Sequence, residues 1–318
     1  MWINKYVKLM YPKRLEDVQM EEAIQLKYDY IPKSLFKYRA IDEYSIKNFE
    51  NDVAWFNIAA EFNDPYDCVL TTGDFVGNNA TALLKDTILD MKRDLNIEVT
   101  KEELARLENM GFKEMSKLFV DFCRKNLGKE VEDLAKETIL RIQEEGKRNT
   151  QVMNETMQIS AKICCFSEIK DSILMWSHYA NNHKGFCIEY DFKKEGINPA
   201  LTDRLQPVLY EENLFNIGQY FHEVKGGPNS INPLILKYGS IIKSTEWSYE
   251  KEWRITYITP SEQGFSKELF SPQAIYLGAK MCEEDKKRLI EIAKQKRILV
   301  YQMKREHNEF KLVPEKVL

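Results

Sequence analysis

Two glutamates one residue apart, Glu250 and Glu252, followed by Arg254, form a dense run of ionisable chemistry. If residues 249–257 are extended, the spacing of two puts these three on one face and Tyr249, Trp253 and Ile255 on the other. Paired carboxylates can grip a sugar hydroxyl, hold a metal ion or move a proton. An exposed strand laced with ion pairs presents the same pattern. Earlier in the chain Lys37 and Arg39 flank Tyr38, the two cations sharing one face and the ring taking the other. Arg39 could hold a phosphate through its planar fork of donors, or pair with a surface carboxylate. His178, one of four histidines, lies in Trp176-Ser177-His178-Tyr179, where it could act as an acid or base or belong to an aromatic core. Ser177 and His178 make a poor nucleophile pair, because adjacent helical residues point about 100° apart, and there is no Gly-x-Ser-x-Gly elbow. Glu189 and Asp64 are further candidate carboxylates.

Composition narrows the classes. Lys and Arg total 46 against 50 Asp and Glu, a balance that argues against a surface built for long nucleic-acid tracts or anionic membranes. No run approaches the roughly 20 apolar residues needed to cross a bilayer, and the first residues carry charges where a secretion signal has an apolar run. A cytoplasmic protein without membrane partners is expected. Six cysteines are too sparse for a disulfide scaffold, and no paired Cys or His half-sites favour zinc, so no metal ligand is assigned. The absence of a Gly-rich phosphate loop sets aside ordinary dinucleotide oxidoreductases and nucleotide-loop hydrolases.

Periodicity then supplies the elements that must position these residues. Strands are expected at 35–39, 53–58, 164–167, 185–190, 207–210, 253–258, 274–277 and 299–303, with 310–313 closing the sheet. Helices are expected from about Asp42, at 171–180, 217–224, 233–242 and 283–296, after a helical or irregular lead-in over the first thirty residues. Glu61-Phe62-Asn63-Asp64-Pro65-Tyr66-Asp67 is a turn by its chemistry. Leu84, Ile88, Met91 and Leu95, then Met115 to Cys123, then Val131 to Ile142 recur at helical spacing, with Thr100 and Glu103 as a capping box. The expected fold class is α+β: one discontinuous domain over 1–318. Residues 1–78 and 160–318 form a mixed or antiparallel central sheet, and 79–159 a helical insertion that overhangs a cleft.

Several of these segments carry a resemblance. Phe36-Lys37-Tyr38-Arg39, Phe62-Asn63-Asp64-Pro65-Tyr66-Asp67, Cys165-Phe166-Ser167-Glu168, Leu174-Met175-Trp176-Ser177-His178-Tyr179-Ala180 with His183-Lys184-Gly185, and Trp247-Ser248-Tyr249-Glu250-Lys251-Glu252-Trp253-Arg254 resemble the prokaryotic domain-of-unknown-function family numbered 2971. That likeness implies where a site lies, without an activity. More distantly, Arg39, Ser167 and Glu250-Lys251-Glu252 follow the order of a strand Arg, a strand Ser and a Glu-x-Glu pair in the ADP-ribosyltransferase superfamily.

The distant resemblance implies NAD as substrate. Arg39 would hold its phosphates and Ser167 would brace the site; Tyr38, Asn63 and Trp176, near them in the quoted segments, are the further expected binding residues. Glu252 would bond the nicotinamide ribose and stabilise an oxocarbenium-like transition state, and Glu250 would orient or deprotonate an acceptor; His178, from its own segment, is expected as a further catalytic group. The acceptor would be an unknown protein or nucleic acid, in a setting that suits a toxin or antiviral effector. The family's Ser-Thr-Ser is reduced here to Phe166-Ser167-Glu168, and a long helical stretch interrupts its order. Two alternatives stay open: a metal-dependent nuclease or phosphoesterase in which Asp64, Glu189, Glu250 and Glu252 gather magnesium, and a non-enzymatic binding or regulatory module with an aromatic pocket.

Overall fold

Short alternating runs become strands and long periodic ones become helices in the computed structural model, which describes residues 2–73, 75–193, 201, 204–223 and 232–318. Helices α1 (Trp2–Met10) and α2 (Met20–Tyr30) lead into β1 (Leu35–Arg39), α3 (Glu43–Glu50) and β2 (Val53–Ile58). Then come β3 (Leu70–Thr71), α4 (Phe75–Asp94), α5 (Lys101–Glu108), α6 (Phe112–Leu127) and α7 (Lys129–Ser160). The chain continues through β4 (Ala161–Ser167), α8 (Ile173–Tyr179), β5 (Phe186–Tyr190), β6 (Leu205–Pro207), β7 (Leu209–Glu211), β8 (Phe215–Asn216), α9 (Gly218–Glu223), α10 (Ile235–Gly239) and β9 (Ile242–Ser244). It ends with β10 (Glu252–Ile258), β11 (Phe265–Glu268), β12 (Ala274–Leu277), α11 (Glu283–Lys296), β13 (Leu299–Arg305) and β14 (Leu312–Lys316).

Local chemistry explains many boundaries. The Asp42 carboxylate accepts from the Ser45 amide at 2.7 Å, capping α3. Thr100 accepts from the Glu103 amide at 3.1 Å, but the Glu103 carboxylate pairs with Lys92 instead of reaching back, so the box closes on one side. Pro207 interrupts the expected strand at 207–210, which divides into β6 and β7. The helix expected at 233–242 stops at Gly239, and the chain turns into β9. Strand β11 was not expected, and the helix expected at 217–224 has its last residue, Val224, outside the described residues.

The chain forms two compact units. The first comprises Met1–Val69, Thr156–Leu214 and Asn232–Leu318, and holds the large sheet. Strands β4 and β10 run antiparallel over seven paired positions, from Ala161 opposite Ile258 to Ser167 opposite Glu252, and β6 lies along the far side of β10. The other edge of β4 is shared. Strand β2 takes its start, with Asn57 opposite Ile163, and β1 takes its end, with Phe36 opposite Ser167. Between those two pairings β1 and β2 part, and the sheet splits into wings: β2 carries β11 outward, and β1 carries β5, β12, β13 and β14. All pairings in this sheet are antiparallel except β12 with β13, whose connection runs through α11. The fold class is α+β with a mixed, mostly antiparallel sheet.

One face of the split sheet is apolar. Leu35, Phe56, Phe166, Trp253 and Ile255 pack there with Phe49 of α3 and Leu289 of α11, each at most 2% exposed. Burying side chains of this size contributes about 1.5–3 kcal/mol apiece. On the opposite face Phe36, Tyr38, Cys187 and Tyr276 pack with Met175 and Trp176 of α8, which anchors that helix above β1.

The second unit comprises Leu70–Glu155 with Phe215–Ile231. Its helices close around Leu84, Ile88, Leu107, Met115, Phe119, Cys123, Ala135 and Ile139. It opens at Leu70 and includes a late segment because β8 lies parallel to β3, Leu70 opposite Phe215 and Thr71 opposite Asn216. The Asn154 carboxamide clips both backbone groups of Leu70, at 2.8 and 3.0 Å.

Backbones approach most closely around Gly185, where a Cβ would stand 2.1 Å from the Arg39 carbonyl oxygen and 3.0 Å from the Ala180 backbone. That approach fixes the end of β1, and so the base of Arg39. Gly185→Ala is expected to cost about 1–3 kcal/mol of stability, read as a lowered urea midpoint with an unchanged slope.

Candidate active site at the split in the sheet

A cavity of about 400 Å³ opens where β1 and β2 diverge. Its floor is the polar pleat of the central strands: Trp55 and Asn57 from β2, Ile163, Cys165 and Ser167 from β4, and Glu252 and Arg254 from β10. Phe62 and Asn63 of the turn and Met175, His178 and Tyr179 of α8 also line it. The split also lets both pleats of β1 contribute, so Phe36 and Tyr38 and the alternate residues Lys37 and Arg39 line the same cavity. Where β4 lacks a strand neighbour, the Cys165 carbonyl accepts from the Lys37 ammonium at 3.1 Å.

A buried ion network lies under this floor. Arg254, fully buried, meets Asp67 through two bonds of 2.6 and 2.7 Å, Glu252 through 2.7 and 3.1 Å, and the Ser240 carbonyl at 2.9 Å. Lys243, from β9, bonds Glu250 at 2.7 Å and Glu252 at 3.0 Å. Tyr179 donates its hydroxyl to the other Glu250 oxygen at 2.7 Å. Three carboxylates thus face two cations, and the excess charge falls unevenly. Burial opposes ionisation of Glu252, but Arg254 and Lys243 override it and hold its pKa down to about 2. Burial pushes Glu250 up; Lys243 offsets this in part, and the charge on Glu252 adds to it. Burial also opposes charge on Lys243, yet Glu252 and Glu250 pull its pKa upward. The network therefore offers one permanently ionised carboxylate beside one that protonates more readily.

The expected polar strand face is corrected on two points. Glu250 precedes β10, in a 3₁₀ turn over Thr245–Glu250, and Lys251 between the two glutamates is left-handed, with φ 43°. The carboxylates converge because Lys243 draws both together, not because a strand aligns them. Nor is this an exposed ladder: Glu250 is 2% and Glu252 5% exposed.

The other expected residues divide. Ser167 lines the cavity, donates to the Glu250 carbonyl at 2.6 Å and accepts from the Ile169 amide at 3.0 Å, so it fixes the turn that aims Glu250. Asn63 lines the cavity beside Tyr179, as a hydrogen-bond neighbour of its hydroxyl. Arg39 is half-buried, lines the cavity and forms no ion pair among the described residues. His178 is exposed at the rim. Tyr38 lines the cavity with its ring, but its hydroxyl is bound to the Ile169 carbonyl at 2.7 Å. Trp176 does not fit the cofactor-binding role expected of it: it is wholly buried, gives its indole N–H to the Lys170 carbonyl at 2.8 Å, and does not line the cavity. Ser177 meets His183, at 3.0 Å, rather than His178.

The four carboxylates expected to gather magnesium are not brought together. Glu189 accepts from Ser34 and from Tyr276, away from the cavity lining, and Asp64 accepts from the Tyr66 amide at 2.9 Å in its own turn. Among the described residues no group of three or more His, Cys, Asp or Glu could share a metal ion. Sequence reasoning missed Lys243, Tyr179, Asp67 and Trp55. Lys243 sits just past a stretch read as helix, and nothing in sequence distinguishes Asp67 from Asp64 in one carboxylate-rich turn.

A family model described as a protein of unknown function, DUF2971, matches residues 175–255. That span holds Tyr179, Lys243, Glu250, Glu252 and Arg254, and begins after the strands that carry Arg39, Trp55 and Ser167. No curated protein and no solved structure matches the chain. Among the described residues no helix is long and apolar enough to cross a membrane.

Two substitutions test the network. Glu252→Gln leaves the Arg254 guanidinium and Lys243 short of a counter-charge and is expected to cost about 3–5 kcal/mol in urea unfolding. Glu250 behaves in the opposite sense with pH. Its folded pKa lies above the ordinary 4.5, so its contribution to stability is full below that value and is lost as pH rises through the folded one. The stability of Glu250→Gln relative to the parent is therefore expected to be more favourable at about pH 8 than at about pH 4.

Proposed function

We propose that the cavity binds NAD and transfers its ADP-ribosyl group to a nucleophilic acceptor. The observation that carries this reading is the convergence of Arg39, Ser167 and Glu252, from three adjacent strands, on one cavity in which Arg39 has no protein counter-charge among the described residues. The same three residues carry the sequence likeness to the ADP-ribosyltransferases.

In this reading Arg39 grips the diphosphate, its guanidinium fork matched to phosphate oxygens. The bond between the nicotinamide nitrogen and the ribose C1′ breaks, and nicotinamide leaves with the electron pair. Positive charge develops on the ribose, and the fixed negative charge of Glu252 at the cavity floor stabilises it. The acceptor attacks C1′ and loses a proton, which Glu250 takes. Its raised pKa makes Glu250 a stronger base than Glu252, and so the better of the two to take that proton. Ser167 acts through the Glu250 backbone as a positioning residue.

Arg39 is the better probe of this reading, since Glu252→Gln would disturb the fold. Purified protein incubated with NAD labelled in the nicotinamide ring is expected to release labelled nicotinamide. Arg39→Ala should raise KM for NAD by about tenfold or more while leaving the urea midpoint within about 0.5 kcal/mol of the parent. No nicotinamide release across a panel of protein and nucleic-acid acceptors would overturn the proposal.

A further inference from the structure

We propose that Trp55 forms a base-stacking subsite, so that the cavity recognises the adenine end of an adenine nucleotide on one wing of the split sheet and its phosphates on the other. This deepens the reading above and rests on a nucleotide entering the cavity, though not on its turnover.

Trp55 is 40% exposed although it lines the cavity, an unusual state for an indole on a sheet face. Its ring is nonetheless held in place. The indole N–H donates to the Asn57 carboxamide oxygen at 3.1 Å, along the same pleat of β2. Behind the ring lies Gly264, just before β11, where a Cβ would stand 2.6 Å from Trp55 Cζ2 and 2.5 Å from the Phe56 carbonyl oxygen. Only a residue without a side chain lets the indole lie there. No other ring stacks on Trp55 among the described residues. A hydrogen bond at the edge, a glycine seat behind and an open front make a preorganised platform for a flat aromatic group.

The other wing holds the complementary group. Arg39 ends β1, which pairs with β4 at Ser167, while β2, which carries Trp55, pairs with it at Ile163. An aromatic platform on one wing and an unpaired guanidinium on the other fit a ligand with an aromatic base and a diphosphate at its two ends.

Titration calorimetry with ADP, and with inorganic pyrophosphate as a ligand without a base, tests this on the parent, Trp55→Ala, Trp55→Phe and Gly264→Ala. The parent is expected to bind both. Trp55→Ala should weaken ADP by roughly tenfold and leave pyrophosphate unchanged, Trp55→Phe should retain most of the ADP affinity, and Gly264→Ala should resemble Trp55→Ala. Equal affinity of the parent and Trp55→Ala for ADP would overturn the subsite, even in a protein that releases nicotinamide from NAD. The expected pattern in a protein that releases none would uphold the subsite and remove the transferase reading. A parent that binds neither ligand would remove both.

Discussion

A guanidinium shut away from water must find acceptors for all five of its N–H bonds, and Arg254 finds them in Asp67, Glu252 and the Ser240 carbonyl. Burying that cation costs several kcal/mol before any partner is counted, so its partners are not interchangeable. Asp67 ties the turn after β2 to the middle of β10. Ser240 ties in the segment before β9, which delivers Lys243. Glu252 closes the set and is left fully ionised. The cavity floor is therefore rigid because one buried charge requires it to be, and the site's electrostatics and the fold's stability are the same set of bonds.

The second constraint is the competition of two strands for one edge. Because β1 and β2 both pair with β4, neither can run its whole length beside it, and backbone groups between them go without a ladder partner. Lys37 repairs part of that deficit through the Cys165 carbonyl. What remains is an opening in an otherwise continuous sheet, reachable by side chains from both pleats of β1. Such a gap is a stable place for a ligand cavity because the flanking strands are anchored elsewhere, β1 by five pairs to β5 and β2 by four to β11.

Most of the fold was legible in the sequence, since strands such as 35–39 and 274–277 and helices such as 283–296 follow period and capping alone. Register was not. Sequence could place Glu250 and Glu252 two apart, but not the left-handed Lys251 that takes Glu250 off the strand, nor the role of Lys243, seven residues before Glu250, in bringing the carboxylates together. Trp176 and Trp55 look alike as letters. One is at the centre of a core and the other on an open face, and only the partners brought near by folding separate them. Asp64 and Asp67 sit in one turn, and their roles are assigned by an arginine nearly two hundred residues away.

The long ladder between β4 and β10 has a consequence for how the molecule is made. Its paired residues are about ninety positions apart, and the strand edges that β10 covers appear on the ribosome well before β10 does. The helices of the second unit rest largely on contacts close in sequence and close early; the sheet cannot. Nascent β4, with alternating Ile163, Cys165 and Cys164, Phe166, leaves the edge that β10 will cover unpaired during that interval, the kind of edge that recruits neighbours. Synthesis of this chain therefore carries its greatest aggregation hazard after β4 emerges and before β10 arrives, and slower translation across that window lengthens the exposure.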